Sequence, residues 1–75
     1  MEFEQLSQII ASQLGIDQSS ITRDSRFRED LKADSLDVAE LIIELEETFG
    51  VTVNDEDIPK IVTVGDIAHY IENHK

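Results

Sequence analysis

Apolar residues return at steps of three and four in three separate windows of this chain, and that repeat restricts it to a small helical fold. In the first window Phe3, Leu6, Ile9, Ile10 and Leu14 mark an amphipathic helix from about Glu2 to Leu14. Gly15 can take the left-handed conformation that ends a helix, with Ile16 folding back on Ala11 or Ile10. The second helix starts at Asp34 or Ser35 and runs to Phe49, with Gly50 as its stop signal. At about 100° per residue, Val38, Leu41, Ile42, Leu45 and Phe49 fall in one sector, the core face. The third window, Val64, Ile67, Ala68 and Ile71, gives a last helix to about Asn73, and Thr63 with Asp66 resembles a capping box at its start. Tyr70 lies at the edge of that stripe, with its hydroxyl expected in water.

The intervals between the windows are expected to be ordered for different reasons. Asp17 to Asp34 has no sustained period, and a connection of that length in so small a domain needs anchors. Ile21, Phe27 and Leu31 can each plug the core while Ser, Asp and Arg satisfy the backbone locally. After Phe49, Val51 and Val53 suit one extended turn, and Asn54 reads as the N-cap of a short helix containing Pro59, one or two turns long and finished before Ile61. The expected fold is all-α: a small four-helix bundle of three longer helices and one short helix, with a long ordered loop between the first two. Residues 1–75 then make a single domain.

Charge narrows the partners. Six Lys and Arg against seventeen Asp and Glu give a formal charge of -11, which argues against nucleic acid and anionic membranes as partners and favours basic protein surfaces. Four of the basic residues, Arg23, Arg26, Arg28 and Lys32, lie in the long loop; Asp24, Glu29 and Asp30 interleave them, so a solvated loop is preferred to a binding patch. The chain has no cysteine, hence no disulfide, no zinc–thiolate site and no thiol nucleophile of its own. Thiol chemistry, if the chain takes part in it, must be imported. Without a basic, apolar leader or a membrane-length apolar run, a monomer in the cytoplasm or an organelle matrix is the default expectation.

Few constellations can carry chemistry. Ser35 stands at the start of the central helix, where free amides and the helix dipole suit a phosphate ester. It can equally be a helix cap, but Asp34 caps as well, which would leave Ser35 pointing outward. A catalytic serine needs a base held by a third group; the only histidines, His69 and His74, sit on the polar side of the last helix or after it and read as surface residues, so the chain is expected not to be an enzyme. The twelve-residue calcium loop is absent and no resident metal is expected. Opposite the core face stand Leu36, Glu40, Ile43 and Glu47, flanked by Asp37, Ala39, Glu44 and Glu46: aliphatic residues among acids, as on a docking surface for basic partners.

The run Glu29-Asp30-Leu31-Lys32-Ala33-Asp34-Ser35-Leu36-Asp37, continued by Glu40-Leu41, Leu45-Glu46-Glu47 and Phe49, closely resembles the acyl carrier proteins of dissociated (type II) fatty-acid synthesis. The order of elements, the Ile61-x-Thr63-Val64 lead-in to the last helix and Tyr70-Ile71 extend the resemblance over nearly the whole chain. It implies that Ser35 receives 4′-phosphopantetheine from coenzyme A through a separate, magnesium-dependent pantetheinyl transferase (holo-carrier synthase), and that the arm's thiol carries acyl groups as thioesters. It further implies that Asp34, Leu36, Asp37, Glu40, Ile43, Glu46 and Glu47 meet basic patches on fatty-acid synthesis enzymes. On helical phase as well as resemblance, Val38, Leu41, Ile42, Leu45, Ile61, Ala68 and Ile71 would line the space for the acyl chain. Specialised carriers for polyketide, peptide or D-alanine pathways share the serine and the fold, and an acidic adaptor with Ser35 as a mere cap is the reading of a different class. The chain departs from the family pattern at Lys32, usually glycine, at Asn54, frequently proline, and at Ile58-Pro59, usually a small–acidic pair.

Overall fold

Three α-helices carry the molecule: α1 (Phe3–Leu14), α2 (Ser35–Phe49) and α3 (Val64–Asn73). A 3-10 turn at Gln18–Ser20 follows α1, and a longer 3-10 helix, Asp55–Lys60, lies between α2 and α3. The structure, a computed structural model, describes residues 2–73, so the surface role expected of His74 lies outside the described residues. Three longer helices and one short one make the bundle anticipated from the apolar period.

The helix ends follow from local chemistry. Gly15 and Gly50 adopt φ of 69° and 67°, the left-handed conformation that an L side chain resists. At each end the residue after the glycine donates five residues back, Ile16 to the Ala11 carbonyl (3.0 Å) and Val51 to the Glu46 carbonyl (3.2 Å), so both helices close in a Schellman motif. Glu46 does more, since its carboxylate accepts from the Val53 amide at 2.8 Å and holds the chain that leaves α2. At the start of α3 the capping box is reciprocal. The Asp66 amide donates to Thr63 Oγ1 (3.1 Å), and the Asp66 carboxylate accepts from the amides of Thr63 and Val62 (3.0 Å each).

One core joins the three α-helices. Leu6 and Ile10 of α1, Leu41, Ile42 and Leu45 of α2, and Val64, Ile67, Ala68 and Ile71 of α3 are buried, with Val51, Val53 and Ile61 from the connecting segment. Ile21, Phe27 and Leu31 are buried too and pin the long loop, joined by Ala33. Val38 and Phe49 pack against this cluster while half-buried.

The short helix expected after Asn54 is present and is of the 3-10 type, with bonds such as Asp57 amide to Asn54 carbonyl (2.9 Å); six residues containing Pro59, which has no donor, cannot sustain an i to i−4 ladder. Two local expectations change. Asn54 occupies its N-cap position but makes no side-chain cap; its amide donates instead to the Tyr70 hydroxyl at 3.3 Å. That hydroxyl is therefore not simply in water: it also donates to the Asp57 carboxylate at 3.0 Å and ties the 3-10 helix to α3.

The long loop is also held by backbone contacts that no local pattern announces. Arg26 and Thr63 form an isolated antiparallel bridge, with the Phe27 amide on the Val62 carbonyl (3.0 Å), Val64 on Ser25 (2.9 Å) and Gly65 on Arg23 (2.8 Å). At Gly65 a Cβ would stand 2.9 Å from the Arg23 carbonyl oxygen, a backbone atom that cannot swing aside. Gly65→Ala is accordingly expected to destabilise the domain by about 1–3 kcal/mol, read from urea unfolding, because the two strands of backbone must separate. A midpoint equal to that of the parent chain would contradict this close approach.

Candidate functional site

The start of α2 is built by Asp34. Its carboxylate accepts from the Asp37 amide at 2.8 Å, and the Asp37 carboxylate accepts from the Asp34 amide at 3.4 Å, a reciprocal capping box. The capping role falls to Asp34, so Ser35 is left exposed, with no hydrogen bond to its hydroxyl from any described residue. The amides of Ser35 and Leu36, at the first two positions of the helix, precede any intrahelical acceptor and have no partner among the described residues. An exposed hydroxyl beside two free amides at the positive end of a fifteen-residue helix suits an anionic ester.

A cleft of about 490 Å³ opens against this serine. Arg26, Phe27, Arg28 and Glu29 form its loop wall, Ser35 and Val38 its α2 wall, and Ile58, Pro59, Ile61 and Val62 the wall leading into α3. Of the residues expected to line an acyl site, Val38 and Ile61 border the cleft, whereas Leu41, Ile42, Leu45, Ala68 and Ile71 lie in the buried core and do not. The loop and 3-10 residues of the wall were not singled out as lining by sequence. Phe27 was legible as an anchor only, because nothing in an aperiodic loop gives its register against α2.

The outer face of α2 is separate from the cleft wall. Leu36 is 66% and Ile43 55% exposed, values far above those of the core leucines, with Glu40 and Glu47 exposed beside them. The other acids of that face differ in their freedom. Asp34 and Asp37 are engaged in the capping box and Glu46 in the bond to Val53, whereas Glu40, Glu47 and the flanking Glu44 make no internal bond to a described residue.

Among the described Lys and Arg residues, all but two form direct ion pairs. Arg26 reaches Glu29 and Asp30, Lys60 reaches Asp57 at 3.5 Å, and Arg23 reaches Glu72 at 3.6 Å while lying 5.0 Å over the Phe3 ring. Arg28 and Lys32 make no direct ion pair with a described carboxylate, although, beside the larger effect of the bonds from Arg26, the Lys32 charge helps to hold the Asp30 carboxyl below its ordinary range. Lys32 moreover adopts φ of 60°, so the lysine holds the left-handed conformation that glycine takes without strain.

Two acids brace the far wall. The Tyr70 hydroxyl holds the Asp57 carboxyl below its ordinary range, against some burial and with help from Lys60. At Asp66 burial pushes the carboxyl up, but bonds from the Thr63 and Val62 amides and the Thr63 hydroxyl outweigh it and leave the group lowered. A lowered folded value means that each acid stabilises the fold above its unfolded value and that this contribution is lost as pH falls through the folded one. Asp66→Asn is therefore expected to be less stable than the parent at neutral pH and to lose less further stability below about pH 4, as followed by helical circular dichroism during acid titration. Parallel acid titrations for the two chains would contradict the bonding at Asp66.

Comparison with known proteins agrees with this geometry. The family model for the phosphopantetheine attachment site matches residues 4–71. Acyl carrier proteins of two Helicobacter pylori strains, G27 and HPAG1, are each 52% identical over 73 residues, covering 97% of this chain and 94% of theirs. The solved structure of an acyl carrier protein from Enterococcus faecalis superposes with a TM-score of 0.81 at 36% identity, over 96% of this chain and 91% of that one.

Proposed function

The chain belongs to the phosphopantetheine-binding acyl carrier protein family, and from that premise we propose that Ser35 is the residue that holds its 4′-phosphopantetheine arm. The protein is a carrier and not an enzyme: the covalent arm supplies the thiol that this cysteine-free chain lacks, and acyl intermediates of fatty-acid synthesis ride on it as thioesters. The observation that carries the assignment to Ser35 is the capping box. Because Asp34 does the capping, Ser35 keeps a free, exposed hydroxyl beside two free amides. The protein's residues position the arm; bond making belongs to a separate pantetheinyl transferase. Incubation with coenzyme A and such a transferase is expected to raise the intact mass by one arm, and an unchanged mass would contradict the reading.

Val38 and Ile61 on the cleft walls would meet the first part of a cargo that folds back on the protein. Leu41, Ile42, Leu45, Ala68 and Ile71 form the next layer, and they must part to admit a longer chain, because a close-packed core holds no ready-made tunnel. The whole chain, residues 1–75, serves as one carrier domain, monomeric and cytoplasmic. No helix of the described residues is long and apolar enough to cross a membrane.

Partner enzymes dock on the outer face of α2, with Leu36 and Ile43 as apolar contacts and Glu40 and Glu47 as free carboxylates; Asp34, Asp37 and Glu46 add to the negative field while holding the backbone. Glu47→Lys is expected to weaken binding to a basic partner such as the transferase about tenfold, and added salt to weaken the parent complex. Titration calorimetry that finds neither change would count against this face. A carrier for a specialised pathway would share all of these features; the acyl species recovered on the purified protein separates the two.

A further inference from the structure

The attachment hydroxyl sits in an unfavourable field. Asp34 and Asp37 flank Ser35 on the first turn of α2, Glu29 borders the same cleft, and the chain as a whole carries a formal charge of -11. A phosphodiester on Ser35 adds another negative charge at that point, and two free amides offset it only in part. Of the five Lys and Arg residues described, Arg23, Arg26 and Lys60 are already paired with carboxylates. The remaining two stand within seven residues of Ser35 in sequence: Arg28 makes no ion pair with a described carboxylate, and Lys32 makes no direct ion pair but lends its charge to Asp30. Arg28 borders the cleft together with Ser35, and Lys32 is held in a left-handed conformation that a side chain ordinarily avoids.

We propose that Arg28, supported by Lys32, is a cationic rim that receives the phosphodiester on Ser35 and so fixes the direction in which the arm leaves the protein. The inference rests on Ser35 being the attachment residue and adds a positioning role for two residues that do not themselves react. A guanidinium can grip two phosphate oxygens at once, whereas the lysine contributes as a point charge. The loop cations that look merely solvated in sequence thereby divide into those ion-paired within the protein and Arg28, which faces the arm with Lys32 as a nearby charge shared with Asp30.

The test compares loaded and unloaded protein, with loading verified first by intact mass. A wild-type chain that gains no mass removes the Ser35 reading itself, which is a different failure from the one sought here. In 15N-labelled wild-type protein, loading is expected to shift and sharpen the Arg28 side-chain Nε–H resonance, whereas that of Arg23 stays in place. The change in melting temperature on loading is expected to be about 2–5 °C less favourable in R28Q/K32Q than in wild type, with R28K restoring part of it, and the difference should shrink in high salt. An Arg28 resonance indifferent to loading overturns the proposal whether or not the variants load; so does an equal melting shift in loaded wild type and loaded R28Q/K32Q.

Discussion

Replacing Leu45 by alanine is expected to cost about 2–5 kcal/mol and to lower the melting temperature by roughly 10–20 °C or more. Leu45 is fully buried on the core face of α2, within the cluster that joins α1, α3 and the long loop. A domain of this length has a total stability on the order of 4–11 kcal/mol, so a single cavity removes a large share of it. Leu36 makes the control, because it lies on the same helix but is mostly exposed; Leu36→Ala should change stability by no more than about 0.5 kcal/mol. If the two substitutions were equally harmful, or equally harmless, α2 would not be oriented as described, and its outer face would lose its meaning as a docking surface.

Ser35→Ala is expected to abolish loading completely while leaving the fold within about 0.5 kcal/mol of the parent. The two readings of this serine separate here. A helix-capping serine replaced by alanine costs about 1 kcal/mol, and the same loss should fall instead on Asp34→Ala, which removes the carboxylate that accepts from the Asp37 amide. A stable, unloadable Ser35→Ala chain beside a destabilised Asp34→Ala chain would establish the division of labour between the two neighbours. A Ser35→Ala chain that still gained the arm would place the attachment elsewhere.

How far the molecule could be read from its sequence depends on how local each cause is. The three α-helices, the glycine ends of the first two and the capping box of the last are encoded within a few residues, so spacing alone located them: Gly15 and Gly50 end their helices in the left-handed conformation, and Asp66 bonds back to Thr63. The exposure of Leu36 and Ile43 was legible for the same reason, since helical phase puts both opposite the core. What escaped depends on segments distant in sequence. The Arg26–Thr63 bridge and the approach of Gly65 to Arg23 bring the long loop against the start of α3, and no periodicity in either segment records that meeting. The cleft inherits this difficulty, as six of its ten lining residues come from the loop and the 3-10 helix. Tyr70 looked like a surface phenol because its partners, Asn54 and Asp57, lie sixteen and thirteen residues away.

Fitness for carriage thus rests on a separation of tasks along one helix. Asp34 caps α2 and leaves Ser35 exposed, the core face anchors the helix, and the opposite face is left open to solvent. The measurement that tests this most directly is fragment-ion mass spectrometry of the loaded chain after trypsin digestion. Cleavage after Lys32 and Lys60 releases a peptide of residues 33–60 whose hydroxyl side chains are Ser35, Thr48 and Thr52. The added mass is predicted on fragments that contain Ser35 and on none that lack it. Recovery of the arm on a fragment bearing only Thr48 or Thr52, or on another peptide altogether, would contradict the account.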